Sequence, residues 1–240
     1  MMPPEPSAPE LSPLQLSVVI PAYLEEENLR LILPRLSKVL AGLDISHEVL
    51  VVDRTRAHDA TEQVCQDSRA LYVNRSPGDS YGDAVRTGLA TAQGESVVFM
   101  DADGSHAPEF VPTLFAARAG QDVVIASRYV EGGETDNRAY LILLSRFVNL
   151  AYSIVLGLNV KDVSNSFKLY AGDQARGITL TSDNFDIIEE LLYKMKKSNP
   201  QLRILEVPFS FKERMFGHTK RNLIAFALSY LVTLIRLRLS

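Results

Sequence analysis

Short apolar runs alternate with helical patterns along the first half of the chain. Residues 16–20 form an apolar run typical of a buried strand, and the segment EEENLRLILPRLSKVL that follows has apolar residues at helical spacing. Further runs of the same kind are separated by helical stretches such as GDAVRTGLATA; they read HEVLVVD, ALYVN, ESVVFMD and DVVIAS. This alternation predicts an α/β fold with a mostly parallel central sheet flanked by helices, and it places ligand sites beyond the carboxyl ends of the strands.

The second half of the chain predicts a long helix over residues 137–158 and another over residues 184–197. The segment DVSNSFKLY lies between them, and RILEVPFSF predicts one more strand. After that strand, KERMFGHTKR is a basic, glycine-containing loop without apolar periodicity. We therefore expect one catalytic domain over residues 16–221, a length that can bury a good core.

The two ends of the chain differ from this pattern. Residues 1–15 are rich in proline and lack the basic and apolar regions of a signal peptide, so they predict a disordered tail. Residues 222–240 predict an apolar helix that contains Arg236 and Arg238 and is too short to span a bilayer comfortably. Three placements of this helix are open: docking on the core, lying in a membrane interface, or pairing with a membrane partner. The arginines favour the interface and peripheral membrane attachment.

Composition narrows the setting in which the protein works. The formal charge of −4 argues against broad nucleic-acid binding. Cys65 is the one cysteine, so the chain cannot form an internal disulfide and suits a reducing compartment. His106 and His218 lie in polar loops without a close His/Cys cluster, so we expect structural or incidental roles for them rather than metal binding. The expected location is cytoplasmic, peripheral to the cytosolic face of a membrane.

Polar and aromatic side chains follow directly after the predicted strands. In a parallel sheet the carboxyl ends of the strands meet at one edge, so these residues are expected to share a rim. They are Pro21, Ala22, Tyr23, Glu25, Asp53, Arg54, Asp101, Asp103, Ser127 and Arg128. Turn chemistry alone rarely assembles acids, arginines and an aromatic ring in this way.

The segment MDADGSHAPE places two carboxylates just past a strand. Asp101 and Asp103 alternate along extended chain, so both can lean towards one point. In the alternative interpretation, Asp103 and Ser105 only begin a turn and cap a helix that starts near Pro108. Paired carboxylates can bind Mg²⁺ or Mn²⁺, and the metal can bridge a diphosphate. Three further cations could neutralise that diphosphate: Arg128, Arg214 and Lys220.

Seven segments of the chain together carry a family resemblance. They are VVIPAYLEEENL, VVD, YGDAVRTGLATAQGE, MDADGSHAPE, SRYVEGG, DVSNSFKLY and EVPFSFKERMFGHTK, spread from residue 17 to residue 220. In this order they resemble the family 2 glycosyltransferases of GT-A fold, in particular the dolichol-phosphate mannose synthase branch. The resemblance implies a GT-A fold and an inverting, metal-dependent enzyme. Such an enzyme moves a hexose of mannose or glucose type from a nucleoside-diphosphate sugar to a polyprenyl (dolichyl-like) phosphate.

The resemblance also assigns residues to the donor, a sugar nucleotide of GDP-mannose or UDP-glucose type. The donor-binding positions near the strand ends are Pro21, Tyr23, Glu25, Val52, Asp53, Arg54, Asp101, Ala102, Asp103, Ser105 and Arg128. Arg214 and Lys220 match a mobile loop of the family that closes over phosphates. The implied catalytic residues are Asp101, Asp103, Arg128 and Asp162, of which the first two are the metal ligands. In the alternative interpretation, these residues only shape turns, cap helices or form surface ion pairs.

The chain departs from the family's pattern at several positions. Arg54 stands where the family has a second aspartate that helps to read the nucleobase, so a hydrogen-bond donor replaces an acceptor. Ser80 and Ser166 stand where glycines are common. In the long predicted helix, Arg138 and Ser145 can share a face, and we assign them to the acceptor phosphate.

Two other functions stay open on the sequence alone. A hydroxyl acceptor would require a general base, whereas a phosphate monoester is already anionic near neutral pH and needs none. A non-catalytic sugar-nucleotide-binding module with impaired donor recognition is the second alternative, since Arg54, Ser80 and Leu141 depart from the family's pattern. The expected partners are the sugar nucleotide, the lipid phosphate and a membrane surface, with a membrane-anchor subunit or a second copy of the chain as further possibilities.

Overall fold

The computed structural model describes residues 13–212 and 223–239. Seven strands form the central sheet; they are β1 (Leu16–Pro21), β2 (His47–Asp53), β3 (Leu71–Asn74), β4 (Ser96–Phe99), β5 (Val123–Ser127), β7 (Lys168–Ala171) and β8 (Ile204–Pro208). Two short strands, β6 (Glu134–Thr135) and β9 (Ser210–Phe211), pair in parallel as a separate ribbon. The predicted tail is described only from residue 13, and there the Glu95 backbone N–H donates to the Leu14 carbonyl at 2.8 Å.

The strands of the central sheet have the order β3-β2-β1-β4-β7-β5-β8. β1 is parallel to β2 and β4, and β5 is parallel to β8, whereas β7 runs antiparallel between β4 and β5. The predicted α/β fold with a mostly parallel sheet is therefore confirmed. β7 is the strand that the apolar pattern does not predict, because it begins with Lys168. This lysine is fully buried, and its Nζ donates to the carbonyls of Val163 and Asn165.

Helices cover both faces of the sheet. They are α1 (Glu26–Ala41), α2 (Thr61–Asp67), α3 (Tyr81–Thr91), α4 (Val111–Ala117), α5 (Ala139–Leu156), α6 (Gly172–Arg176), α7 (Ile187–Ser198) and α8 (Leu223–Leu239). A short 3-10 turn, Pro108–Phe110, precedes α4. α5 and α7 confirm the two helices predicted for the second half of the chain.

The core lies on both sides of the sheet, which explains why its strands are continuous apolar runs. On one side, Val19 and Val52 pack with side chains of α3, including Val85. On the other side, Val18 packs with side chains of α1, including Ile32. Burying each such side chain stabilises the fold by about 1.5–3 kcal/mol. These layers hold the carboxyl ends of β1, β2 and β4 in fixed positions.

The C-terminal helix α8 packs against α5. Tyr152 of α5 donates its hydroxyl hydrogen to the backbone carbonyl of Tyr230 at 2.6 Å. Leu234 and Leu237 are buried on this side of α8. The exposed apolar side chains of the same helix are Val232, Ile235 and Leu239. One face of α8 thus docks on the core, and apolar side chains remain on the other.

An apolar stripe runs along the outer face of α5. We call this the α5 stripe; its members are Tyr140, Leu143, Phe147, Leu150 and Ile154, and all are exposed. Their spacing of three and four residues places them on one side of the helix. Within the described ranges, α5 is the one helix long and apolar enough to cross a membrane, and 17% of it is buried inside the protein.

Candidate active site

The polar residues predicted to share a rim do share one edge of the sheet. Tyr23 follows β1, Asp53 ends β2, Asp101 follows β4 and Arg128 follows β5. β1 is parallel to both β2 and β4, so these carboxyl ends point the same way. β5 is antiparallel to β7, which is antiparallel to β4, and therefore β5 also ends at this edge.

Asp101 and Asp103 differ in environment although one residue separates them. The side chain of Asp101 is 25% exposed, and its Oδ2 accepts a hydrogen bond from Ser166 Oγ at 3.0 Å. Asp103 is buried, and its Oδ1 accepts from the backbone N–H of Ser105 at 3.0 Å and from Ser105 Oγ at 2.6 Å. The turn expected from the alternative interpretation therefore exists. The capping role does not, because Ala107 precedes the 3-10 turn and no side chain caps it.

The two carboxylates alone make a partial metal site. In residues 13–212 and 223–239, no group of three or more His, Cys, Asp or Glu side chains is placed to hold a metal ion. Mg²⁺ is commonly bound in proteins by one or two carboxylates together with phosphate oxygens and water. Asp101 and Asp103 fit that mode of binding, in which a diphosphate would complete the coordination.

His106 supports the Asp101 end of the motif. Its Nδ1 accepts the backbone N–H of Asp101 at 2.9 Å, so the ring hydrogen is on Nε2, which lies 3.2 Å from Asn165 Oδ1. The ring is fully buried and stacks on Phe167 with a centroid separation of 4.7 Å. Burial lowers the pKa of this imidazole. His106 does lie in the loop between β4 and the 3-10 turn, as the sequence indicated, and its hydrogen bonds and ring stacking are contacts of a structural kind.

Arg128 is fixed by Asp162. Arg128 Nε donates to Asp162 Oδ2 at 2.8 Å and Nη2 donates to Oδ1 at 2.7 Å, while the Arg128 backbone N–H also donates to Oδ2. Asp162 is fully buried and the Arg128 side chain is 10% exposed, so this is no surface ion pair. Although burial opposes it, the carboxylate raises the pKa of Arg128 above its ordinary value.

The residues assigned to the nucleoside lie at the ends of β1 and β2. Pro21 and Val52 are register partners in these strands, and Val52 is fully buried. Glu25 lies at the start of α1 and accepts from Asn28 Nδ2 at 2.6 Å. Asp53 is 2% exposed, and burial raises the pKa of its carboxyl group. Its Oδ2 accepts from a tyrosine hydroxyl at 3.1 Å.

Arg75 ties the ends of the first three strands together. Its Nε donates to the Asp53 carbonyl at 3.1 Å, and its Nη1 donates to the carbonyls of Asp79 and Ser80 at 3.2 and 3.1 Å. Its Nη2 donates to the Ala22 carbonyl. The sequence does not identify this residue, because a lone arginine before a turn has no spacing that distinguishes it.

The two serines that replace family glycines both form hydrogen bonds. Ser80 caps α3, with its Oγ accepting from the Asp83 backbone N–H at 2.9 Å and Asp83 Oδ2 accepting from the Ser80 N–H at 3.0 Å. Ser166 donates to Asp101, as described above. Each serine thus adds a side-chain hydrogen bond that glycine, which has no side chain, could not form.

The positions assigned to the acceptor phosphate lie at the start of α5. Arg138 immediately precedes the helix and is exposed. Ser145 lies two turns further on, and Asn149 Nδ2 approaches its Oγ at 3.4 Å. Arg214 and Lys220, the two predicted loop cations, lie outside the described residues.

Comparison with known proteins gives a family match over much of the chain. Residues 17–173 match the family described as glycosyl transferase family 2. The undecaprenyl-phosphate mannosyltransferase of Micrococcus luteus is 32% identical, and the alignment covers 87% of this chain and 88% of that protein. The polyprenol monophosphomannose synthase of Mycolicibacterium smegmatis is 32% identical over 85% of this chain and 80% of that protein.

A longer relative and two solved structures complete the comparison. The dolichol-phosphate mannosyltransferase of Pyrococcus furiosus is 34% identical over 86% of this chain, which spans 59% of that protein. Glucosyl-3-phosphoglycerate synthase from Mycobacterium tuberculosis, crystallised with Mn²⁺, UDP and glucosyl-3-phosphoglycerate, superposes with a TM-score of 0.69 at 21% identity, covering 93% of this chain and 80% of that one. Its complex with Mn²⁺, UDP-glucose and phosphoglyceric acid gives 0.72 at 22% identity, covering 94% and 80%. These likenesses confirm the expected GT-A fold.

Proposed function

Because this chain belongs to glycosyl transferase family 2, we propose that it moves a hexose from a nucleoside-diphosphate sugar to a polyprenyl phosphate. The observation that carries the proposal is the pair Asp101 and Asp103 just past β4, on the edge shared with Tyr23 and Arg128. The names of three relatives, which combine mannose with dolichol phosphate, undecaprenyl phosphate or polyprenol, support this acceptor class. Mannose is accordingly the first sugar to test, with glucose as the alternative.

Asp101 and Asp103 would hold the divalent cation, Mg²⁺ or Mn²⁺. Carboxylate oxygens are ligands that both ions prefer, and two carboxylates leave room for diphosphate oxygens and water. The structural neighbour that was crystallised with Mn²⁺ and UDP supports a divalent cation in this fold. When bound, the cation supplies positive charge that stabilises the leaving nucleoside diphosphate.

Arg128 would offer guanidinium N–H groups to the donor diphosphate at the same edge, while Asp162 balances its charge. Its two hydrogen bonds to Asp162 fix the guanidinium, so no reorganisation is needed when negative charge develops on the leaving group. The attacking oxygen belongs to a phosphate that is already ionised, and a single displacement inverts the anomeric carbon. His106 is unsuited to act as a base, because both of its ring nitrogens are engaged by Asp101 and Asn165.

The α5 stripe suggests how such an enzyme reaches a lipid acceptor. Leu143, Phe147 and Ile154 are 72%, 69% and 70% exposed. Such exposure of neighbouring large apolar side chains to water is unfavourable and unusual, and it is typical of an interaction surface. Arg138 lies at the beginning of the same helix. We propose that the stripe lies in the membrane interface on the cytosolic face, with the exposed side of α8 beside it.

The test is a transfer assay with defined acceptors. Wild-type protein is incubated with Mn²⁺, labelled GDP-mannose or UDP-glucose, and a short polyprenyl phosphate in detergent, and the lipid product is extracted. The expected product carries hexose on the phosphate with inverted anomeric configuration, which NMR can assign. The matching polyprenol, which lacks an ionised oxygen, should accept no sugar.

Two results would contradict the proposal in different ways. Transfer to polyprenol or to another alcohol at the rate seen with the phosphate would favour a hydroxyl acceptor. Donor binding without transfer to any acceptor would favour the non-catalytic module.

A further inference from the structure

Three side chains at the ends of the first three strands form an open cluster. The central carbon of the Arg54 guanidinium lies 5.0 Å from the centroid of the Tyr23 ring. Arg54 Nη2 donates to Asp79 Oδ2 at 2.7 Å, and Asp79 Oδ1 accepts from the Thr55 backbone N–H at 2.8 Å. We propose that Tyr23, Arg54 and Asp79 read the nucleobase of the donor, and that Asp79 supplies the carboxylate missing at position 54. This inference rests on the proposed function, which supplies the nucleoside diphosphate.

The members of this cluster are accessible to a ligand. Tyr23 is 50% exposed, and the side chains of Arg54 and Asp79 are 26% and 34% exposed. In the part of the chain that the structure describes, Asp79 is the one acceptor that is hydrogen-bonded to the Arg54 guanidinium. Further N–H groups of this five-donor side chain are therefore available to a base. Asp53, by contrast, is buried against Tyr72 and cannot take this role.

The cluster is held in place before any ligand binds. Arg75 donates to the carbonyl of Ala22, the residue before Tyr23, and to the carbonyl of Asp53, the residue before Arg54. It also donates to the carbonyl of Asp79 itself. One buried guanidinium thus fixes the backbone at all three positions, so little ordering entropy remains to oppose binding. Arg54 also lowers the pKa of Asp79 from 3.8 to about 2.

The chemistry of the cluster selects one class of base. Arg54 can donate to a ring carbonyl, and Asp79 can accept from an adjacent ring N–H. Guanine offers this pair as O6 and N1–H, and uracil offers it as O4 and N3–H. Adenine has no ring carbonyl, and neither adenine nor cytosine has a ring N–H at the position to be read. The cluster therefore predicts a keto base, guanine or uracil, with the Tyr23 ring and Arg54 forming an apolar and cationic wall beside it.

The test compares the four nucleoside diphosphates GDP, UDP, ADP and CDP by calorimetry in the presence of Mn²⁺. Wild-type protein should bind GDP or UDP about tenfold or more tightly than ADP and CDP. Tenfold is the discrimination between bases that one well-placed pair of hydrogen bonds usually provides. Asp79→Asn should reduce that ratio about tenfold, because the amide neither carries the charge nor accepts at both oxygens. Arg54→Lys should also weaken the preference, since the ammonium lacks the planar fork.

Asp173→Asn is the matched control. Asp173 forms an exposed ion pair with Arg176 in α6, which follows the opposite end of the sheet. This variant should keep the wild-type base preference, and thermal unfolding should show that all variants fold. Asp79→Asn with an unchanged ratio, or wild type that binds none of the four nucleotides, would overturn the inference. Base-selective binding without sugar transfer would instead count against the proposed function alone.

Discussion

At the scale of single residues, the Arg128–Asp162 pair makes a strong prediction about stability. Asp162→Asn leaves the buried guanidinium without its counter-charge, and breaking such a pair costs about 3–5 kcal/mol of unfolding free energy. Urea unfolding measures this change. Asp173→Asn, which breaks an exposed pair, should cost at most about 1 kcal/mol. Equal losses of unfolding free energy in the two variants would mean that the fold does not need Asp162 as the counter-charge of Arg128.

Glu189 predicts a pH dependence of stability. This side chain is fully buried in α7, and burial raises the pKa of its carboxyl group from 4.5 to about 8, although Lys168 opposes the shift. Because the folded state holds the proton more tightly than the unfolded state, stability falls as the pH rises from about 4.5 towards 8. Glu189→Gln should remove that slope, on the order of 1 kcal/mol per pH unit, and leave stability at pH 5 nearly unchanged. A variant with the wild-type slope between pH 5 and pH 7.5 would contradict this.

The sequence predicted some site residues and missed others for a physical reason. Asp101 and Arg128 follow apolar strands directly, and the geometry of a parallel sheet is enough to bring them to one edge. Arg75 and Asp79 act through contacts with segments that are distant in sequence, and no periodicity reports such contacts. The burial of His106 depends on stacking against Phe167, about sixty residues away. In the sequence, only the closeness of His106 to the aspartate motif could have identified it as a residue of the site.

At the scale of elements, α3 lies close against β1 at Gly88. A Cβ added there would lie 2.4 Å from Val19 Cγ1, which is too close for any real contact. Gly88→Ala should therefore destabilise the fold by about 1–3 kcal/mol, even though alanine normally favours a helix. Gly177→Ala is the control, because its nearest neighbours would be 3.5 Å away. Urea unfolding should separate the two variants; equal stability would mean that α3 can shift without cost.

The elements that the sequence identified are those with strong apolar periodicity. β1, β2 and α1 stand out because their buried faces are continuous, whereas α5 stands out because it is apolar along most of its length. β7 was hidden by Lys168, whose charge is accommodated by backbone carbonyls that only the folded chain brings together. The length of α5 was predicted, but its exposed stripe was not, since an apolar pattern does not show which helix faces have a partner.

At the scale of the whole molecule, the α5 stripe predicts membrane binding. Phe147→Glu puts a charge in the middle of the stripe and should lower binding to phospholipid vesicles about tenfold or more in a flotation assay. Leu31→Glu is the control, because Leu31 is an exposed leucine of α1, away from the stripe. Loss of binding in the control alone, or in neither variant, would show that the stripe does not contact lipid. A change from dimer to monomer in Phe147→Glu, without loss of vesicle binding, would identify a second copy of the chain as the occupant.

In the proposed function, Asp101 and Asp103 hold a divalent cation against the donor diphosphate. The most direct measurement is calorimetry of nucleoside-diphosphate binding with and without Mn²⁺, on wild type and on Asp103→Asn. We expect Mn²⁺ to strengthen binding to wild type about tenfold or more and to have no effect on Asp103→Asn. Asn at position 103 keeps an oxygen for the Ser105 hydrogen bonds, so the turn should persist. A Mn²⁺ effect that is as large in Asp103→Asn as in wild type would show that the Asp103 carboxylate does not hold the cation.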